Sequence, residues 1–213
     1  TAYEIRPRDW SSDVCSSDLA PDNLANATQW TTVELDAITG RLLAQLYPQA
    51  DTRIQGFEET KLPNGYFDLA ISNVPSHEVG PGKEYPDLNL HNYFIARMLD
   101  KVRPGGLVIA ITTKNTMEAR PRQREFIAGK GQLVAAIRLP NDAFKESAAT
   151  EVVTDLLILR RPDGKPFEGQ RWMNQTNVAE EDAEPMLVYE YFAAHPDMVL
   201  GKHAHEEIGR AHV

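Results

Sequence analysis

Two short stretches combine residue types and positions that could do chemistry. The first contains Glu34, which lies near the end of the β-branched run 30–35 (WTTVEL), a pattern typical of a strand. A carboxylate at a strand end, ahead of a helix, can accept hydrogen bonds from both ribose hydroxyls of a nucleotide-like cofactor. A solvated loop carboxylate is the alternative interpretation. Asp36 suits the N-cap of the following helix, because Asp accepts hydrogen bonds from the free N–H groups of a first turn.

The second stretch is Asn73-Val74-Pro75-Ser76, which follows the apolar run 67–72 (FDLAIS). An exocyclic amine on an aromatic ring is a poor nucleophile, because its lone pair is delocalised into the ring. The side-chain oxygen of Asn73 and a nearby main-chain carbonyl could accept hydrogen bonds from such an amine. They would favour the geometry in which its lone pair attacks a methyl group. A turn of the Asn-x-Pro type, without catalytic function, is the alternative interpretation.

Strand and helix patterns alternate along the chain. Apolar and β-branched runs predict strands at 30–35, 52–55, 67–72, 107–112, 133–139 and 152–159. Apolar residues at helical spacing predict helices at 38–47, 90–102 and 121–128. This alternation predicts an α/β fold with a mostly parallel, doubly wound sheet. Ligands of such sheets bind at the carboxyl ends of the strands, so Glu34 and Asn73 are expected to lie at the same edge.

Composition and charge exclude several classes of protein. The chain has 213 residues, of which 42% are hydrophobic and 25% charged, as is usual for a globular protein. Its net charge of -9 argues against a domain that holds DNA mainly through the phosphates. No apolar run approaches the roughly 20 residues of a membrane-spanning helix, so a cytoplasmic protein without a membrane segment is expected. The histidines have no metal-ligand spacing, so no metal is expected.

Two segments resemble translated sequencing adapter. Residues 9–19 (DWSSDVCSSDL) and 207–213 (EIGRAHV) can be spelled by the two strands of a common short-read adapter. Cys15, the only cysteine, lies in the first segment, so the rest of the chain has no thiol chemistry. The expected organisation is an uncertain leader with an adapter-derived segment at 1–19, a domain at 20–161, a polar tail or linker with a short ordered segment at 162–206, and an adapter-derived tail at 207–213.

Several motifs, in order along the chain, carry a resemblance to a known family. They are VELD at 33–36, GFEETKLPNGYFDLAISNVP at 56–75, DKVRPGGLVIAIT at 100–112, AAIRLPNDAF at 135–144 and TEVVTDLLIL at 150–159. With them, the stretch from about residue 29 to 161 resembles bacterial N-6 adenine-specific DNA methylases. The similarity is greatest to the methylase domain of large helicase–methylase polypeptides in phages and mobile elements. The modification subunits of type I restriction systems are more distantly similar.

The resemblance implies a Rossmann-like class I methyltransferase fold and transfer of a methyl group from S-adenosylmethionine to adenine N6 in DNA. It implies cofactor contacts from Glu34 at the ribose and from Phe57 and Glu58 beside the adenine, with Asp36 and Asn73 in the same site. The tetrapeptide at 73–76 takes the place of the catalytic Asn-Pro-Pro-aromatic motif, because its first and third residues match.

The chain departs from this family pattern at three points. Val74 replaces the first proline of the catalytic motif. Ser76 replaces the aromatic residue that stacks on the extruded adenine in the family, a contact worth ~1–3 kcal/mol per base in comparable sites. The first strand and the glycine-rich loop, expected shortly before Asn23, are missing.

The expected function is therefore that of a fragment of an adenine-specific DNA methyltransferase. The full-length parent would bind the DNA, and a helicase domain in the same polypeptide is a candidate partner. Two alternatives stay open. One is a methyltransferase for RNA or for protein amides, whose acceptors are also planar amines. The other is a non-catalytic, methylase-like scaffold or DNA-docking domain, which the serine at position 76 favours.

Overall fold

The computed structural model describes residues 29–75, 84–145, 152–178 and 186–201, and the backbone of residues 2–3. The two segments predicted to be adapter-derived, 9–19 and 207–213, lie outside these described residues. Ser76 of the predicted catalytic tetrapeptide also lies outside them.

Strands and helices alternate through the described part of the chain, as the sequence pattern predicts. The strands are β1 (Ala2–Tyr3), β2 (Thr31–Glu34), β3 (Asp51–Ile54), β4 (Phe67–Asn73), β5 (Val102–Thr113), β6 (Gln132–Arg138), β7 (Thr154–Arg160), β8 (Gln175–Asn177) and β9 (Leu187–Tyr189). The helices are α1 (Ala37–Leu46), α2 (Leu90–Lys101), α3 (Pro121–Lys130) and α4 (Glu190–Ala194), with a 3-10 helix at Pro196–Met198. Most predicted ends agree closely, but β5 begins directly after α2 rather than at residue 107.

The strands form a mostly parallel sheet system. β1, β2 and β3 make a parallel three-stranded sheet in that order, and a second sheet has the order β4-β5-β7-β6. β4 and β5 are parallel, whereas β7 runs antiparallel to both of its neighbours. Contacts between β1 and β4 bring the two sheets side by side, which gives the overall order β3-β2-β1-β4-β5-β7-β6. The predicted α/β class with a mostly parallel sheet is confirmed.

The structure differs from the prediction at the first strand, which was expected to be missing. β1 pairs in parallel with the last two residues of β2. The free edge of a strand presents unpaired backbone N–H and C=O groups, and any extended segment can satisfy them. β1 has only two residues, and they pair with Val33 and Glu34 of β2.

Short-range signals determine where the helices begin. The Asp36 carboxylate accepts hydrogen bonds of 3.1 and 2.8 Å from two N–H groups in the first turn of α1, so its predicted role as N-cap is confirmed. Asn89 caps α2 in the same way, through a 3.0 Å hydrogen bond from the first turn. Pro121 occupies the first turn of α3, where its missing N–H costs nothing.

The segment after β7 packs on the domain. Trp172, Tyr191 and Phe192 belong to the hydrophobic core. The hydroxyl of Tyr191 accepts a hydrogen bond of 3.0 Å from the backbone N–H of Ala136 in β6. The sequence predicted a polar tail or linker with a short ordered segment at 162–206. In the described part of that stretch, a few large rings bury enough apolar surface to attach an otherwise polar segment.

Candidate functional site

Glu34 is the last residue of β2, and its side chain is fully buried. Its Oε1 atom accepts a hydrogen bond of 2.8 Å from the backbone N–H of Asp36, which fixes the carboxylate beside the start of α1. The side chain of Asp36 instead accepts hydrogen bonds from the first turn of α1. The N–H of Thr39 lowers the pKa of the Asp36 carboxyl. The junction between β2 and α1 therefore holds one carboxylate at the sheet edge and uses the other as a cap.

The loop at residues 56–60, called the cofactor loop below, follows β3 and lies next to Glu34. The last residue of β3, Ile54, is paired with Glu34. The ring of Phe57 is buried, with its centroid 5.3 Å from that of Phe94. This ring belongs to the hydrophobic core, while its backbone lies in the loop that is predicted to flank the cofactor adenine. Glu58 is exposed, and a Cβ on Gly56 would lie only 2.1 Å from its carboxylate oxygen.

Asn73 is the last residue of β4 and is paired with Ile111 of β5. Its side chain is half-buried, and no other described residue hydrogen-bonds to it. Val74 is buried, and its N–H donates a 2.9 Å hydrogen bond to the carbonyl of Ile111. A proline could not make this bond. Valine at position 74 therefore extends the pairing of β4 with β5 by one hydrogen bond. Pro75 follows, half-buried.

Glu34 and Asn73 lie at the same edge of the sheet system. At the opposite edge, a cavity of about 1050 Å³ is lined by Thr31, Asp51 and Phe67, the first residues of β2, β3 and β4. β2, β3 and β4 therefore all begin at the edge with the cavity and end at the edge with Glu34 and Asn73. Glu34, the cofactor loop and the segment Asn73-Val74-Pro75 therefore lie at the same edge of the sheet system, as expected from parallel strands.

A buried ion-pair network at this edge was not predicted from the sequence. Arg138, at the end of β6, donates hydrogen bonds of 2.8 and 3.0 Å to the Asp155 carboxylate and one of 2.8 Å to Glu118. Asp155 is fully buried and is paired with Thr112 near the end of β5. The guanidinium of Arg138 also lies 4.5 Å from the ring centroid of Phe192. These residues are far apart in the chain, so no local pattern could have revealed the network.

His91, in the first turn of α2, supports a pH prediction. Burial lowers its pKa from 6.5 to about 4, and a hydrogen bond to the backbone of Asn115 opposes this shift only in part. The folded state thus takes up the proton at lower pH than the unfolded state does. We expect stability to be lost as the pH falls from about 6.5 to about 4, by about 3 kcal/mol at ~1.4 kcal/mol per pKa unit.

The measurement is the free energy of unfolding by urea at several pH values between 7 and 4, for the wild type and for His91→Gln. Glutamine does not titrate, so the difference between the two curves isolates the histidine from the carboxylates. Parallel curves would contradict the prediction.

The described residues contain neither a metal-binding cluster nor a membrane-spanning helix. Among the described residues, no three His, Cys, Asp or Glu side chains cluster in a way that could hold a metal ion. No helix in the described part of the chain is long and apolar enough to span a membrane.

The comparison with known sequences gives one partial relative. No protein-family model matches the chain. The chain is similar to the defense against restriction protein B of Escherichia phage P1, with 29% identity over 143 residues. That alignment covers 63% of this chain and 6% of the phage protein, so the chain corresponds to a small part of this relative.

The comparison with solved structures shows the fold. A protein from Listeria monocytogenes assigned to the class I S-adenosylmethionine-dependent methyltransferases matches with a TM-score of 0.60 and 18% identity, covering 81% of this chain and 56% of that one. A modification subunit of a type I restriction enzyme from Vibrio vulnificus YJ016 matches with a TM-score of 0.53 and 14% identity, covering 75% and 40%. The M protein of the type I restriction enzyme EcoKI matches with a TM-score of 0.52 and 18% identity, covering 63% and 31%. The chain has the class I methyltransferase fold, as predicted.

Proposed function

We propose that this chain is part of an S-adenosylmethionine-dependent methyltransferase that methylates adenine at N6 in DNA. The observation that carries the proposal is that the buried carboxylate of Glu34 and the segment Asn73-Val74-Pro75 share one edge of the sheet system. The class I methyltransferase fold supports the cofactor. The similarity to the phage P1 protein and to type I modification proteins supports DNA as the acceptor.

The residues at this edge fit the adenosine part of the cofactor. Glu34 would accept hydrogen bonds from the ribose hydroxyls. The exposed carboxylate of Glu58, folded over Gly56, is free to accept a hydrogen bond from the adenine amine. S-adenosylmethionine, when bound, supplies the electrophilic methyl group.

Asn73 would bind and orient the acceptor amine. No other described residue hydrogen-bonds to its side chain, so the amide oxygen is able to accept a hydrogen bond from that amine. This bond and one to a main-chain carbonyl of the same segment would stabilise the amine as its lone pair turns toward the methyl group. A base inside a duplex cannot reach Asn73, so the target adenine would have to be flipped out of the helix.

DNA affinity is proposed to reside in other parts of a longer polypeptide, called the parent protein below. The net charge of -9 gives this chain no general attraction for phosphates. A helicase domain in the parent protein is a candidate for that role. The decisive experiment incubates the parent protein with labelled S-adenosylmethionine and DNA, RNA or protein, and then identifies the methylated nucleoside or residue. N6-methyladenine in DNA supports the proposal. Methylation of RNA or of protein amides alone, or no transfer, would contradict it.

This chain by itself is expected to bind S-adenosylmethionine weakly or not at all. Residues 1–39 contain no glycine, so the chain has no glycine-rich loop ahead of Glu34 to let the backbone approach the methionine end of the cofactor. Glu34 and the cofactor loop would hold only the adenosine end. Calorimetric titration checks this expectation, and a micromolar dissociation constant would show that the glycine-rich loop is dispensable.

A further inference from the structure

We propose that Arg97 is a positioning residue for the cofactor loop and joins that loop to Glu84. The inference deepens the proposed function and rests on it for the identity of the cofactor. Its structural part, that one buried guanidinium holds the loop in place, stands on contacts in this chain.

Arg97 lies in α2 and is only 4% exposed. A buried charge is costly unless it is paired and hydrogen-bonded, so its partners define its role. Its Nη2 atom donates a 3.0 Å hydrogen bond to the carbonyl of Thr60, and its guanidinium carbon lies 5.1 Å from the ring centroid of Phe57. Its Nη1 atom makes an ion pair with Glu84.

The first two contacts hold both ends of the cofactor loop. Phe57 anchors its start through the buried ring, and Thr60 anchors its end through the carbonyl. The loop is otherwise closed by its own short-range bonds. The hydroxyl of Thr60 and the N–H of Glu59 both donate to the carbonyl of Gly56, at 2.7 and 3.1 Å. Glu58 lies between the two anchors, so Arg97 fixes where its exposed carboxylate is presented.

The third contact is the ion pair with Glu84. Glu84 is the first described residue after Pro75 and the undescribed stretch 76–83. Its side chain is 53% exposed, whereas that of Arg97 is 5% exposed. The guanidinium therefore links the exposed carboxylate of Glu84 to the cofactor loop.

Lys101, one helical turn after Arg97, provides a matched control. It is also buried, and its Nζ atom donates hydrogen bonds of 2.9 Å to the carbonyl of Leu62 and 2.7 Å to the side-chain oxygen of Asn64. Both cations attach the chain after β3 to α2. Only Arg97 contacts the cofactor loop, so the two roles can be separated by substitution.

The first test measures hydrogen exchange at individual amides of this chain. Arg97→Met removes one of the two donors to the Thr60 carbonyl and leaves the bond from the Leu62 N–H, while Glu84 stays hydrated because it is half exposed. We expect the amides of Glu59 and Thr60 to exchange about tenfold faster or more than in the wild type. Lys101→Met should instead accelerate exchange around Leu62. Arg97→Lys, which keeps the charge but cannot make all three contacts, should be intermediate and covers the case in which Arg97→Met does not fold.

The second test measures binding of adenosine by saturation-transfer NMR. The measurement is made at a temperature where Arg97→Met and Lys101→Met are both folded. If Arg97 contributed only to general stability, both substitutions would change adenosine binding alike, whereas a positioning role predicts a change in Arg97→Met alone. We expect Arg97→Met to weaken adenosine binding by about tenfold and Lys101→Met to leave it within about twofold of the wild type.

The outcomes separate the inference from the proposed function. Exchange at Glu59 and Thr60 that is unchanged in Arg97→Met, or equally accelerated in Lys101→Met, overturns the role of Arg97. Equal adenosine affinity of the wild type and Arg97→Met also overturns it. If the wild type binds no adenosine, the proposed function of the parent protein is unaffected, because this chain has no glycine-rich loop, and the exchange result alone decides whether Arg97 positions the loop.

Discussion

Replacing Asn73 by alanine is expected to abolish methyl transfer by the parent protein. Asn73 ends β4 with its amide free of any bond from the described residues, and alanine removes the acceptor that would orient the amine. Loss of a single preorganised group in a transition-state site costs roughly 10²–10³-fold in kcat, and we expect at least that loss here. The measurement is incorporation of labelled methyl groups into adenine in DNA, with cofactor binding followed in parallel.

Ser72→Ala is the matched control, because Ser72 precedes Asn73 in the same strand and points to the opposite face. The activity of Ser72→Ala should stay close to that of the wild type.

Ser76→Phe should increase transfer or tighten binding of an extruded base, since it gives position 76 an aromatic ring. Asn73→Ala and Ser76→Phe would affect one bound base, so their effects should not simply add. Transfer that survives Asn73→Ala would disprove the catalytic assignment. An unaltered rate in Ser76→Phe would remove only the stacking argument.

Replacing Asp155 by alanine should destabilise this chain by about 3 kcal/mol, the lower end of the usual cost of breaking a buried ion pair, because Glu118 stays as a second partner of Arg138. Burial raises the pKa of Asp155, and the bonds from Arg138 oppose that shift. Water does not reach the Asp155 carboxylate, because its side chain is 0% exposed. The free energy of unfolding by urea measures the effect.

Asp68→Ala is the control for this prediction. Asp68 pairs with Arg103 at 2.6 Å, but both side chains are exposed, at 82% and 53%. Its loss should cost less than about 1 kcal/mol, because water and salt screen exposed pairs. A combined change of Arg138→Met and Asp155→Leu should recover much of the stability lost in Asp155→Ala. Equal effects of Asp155→Ala and Asp68→Ala would contradict the account of the buried network.

The order of strands and helices was predictable because it is written in local patterns. Glu34 and Asn73 could be placed at one edge from two strand ends alone, and the role of Asp36 as a cap followed from its spacing to α1. The orientation of Phe57 could not be predicted. An aromatic residue in a loop can face a ligand or the core, and the residues that contact this ring, Phe94 and Arg97, lie 37 and 40 positions away in the chain.

Burial of polar residues in α2 was also beyond sequence reasoning. The apolar face predicted for this helix is present, yet His91, Asn92, Arg97 and Lys101 are buried as well. A hydrophobic pattern shows which face of a helix meets the sheet but not whether a loop covers the other face. The same limit applies to Trp172 and Phe192, because attachment of a polar stretch by a few rings gives no periodic signal.

The seam between β1 and β4 has a consequence for cooperativity. Among the described residues, no ladder of backbone hydrogen bonds crosses from the three-stranded sheet to the four-stranded one. Side-chain contacts, including those of Arg97 and Lys101, connect the two parts instead. A protein built this way is able to open in halves. The smaller half, with Glu34, would then open at a lower free-energy cost than the larger half, with Asn73. On warming, cofactor affinity would therefore fall before the larger half unfolds.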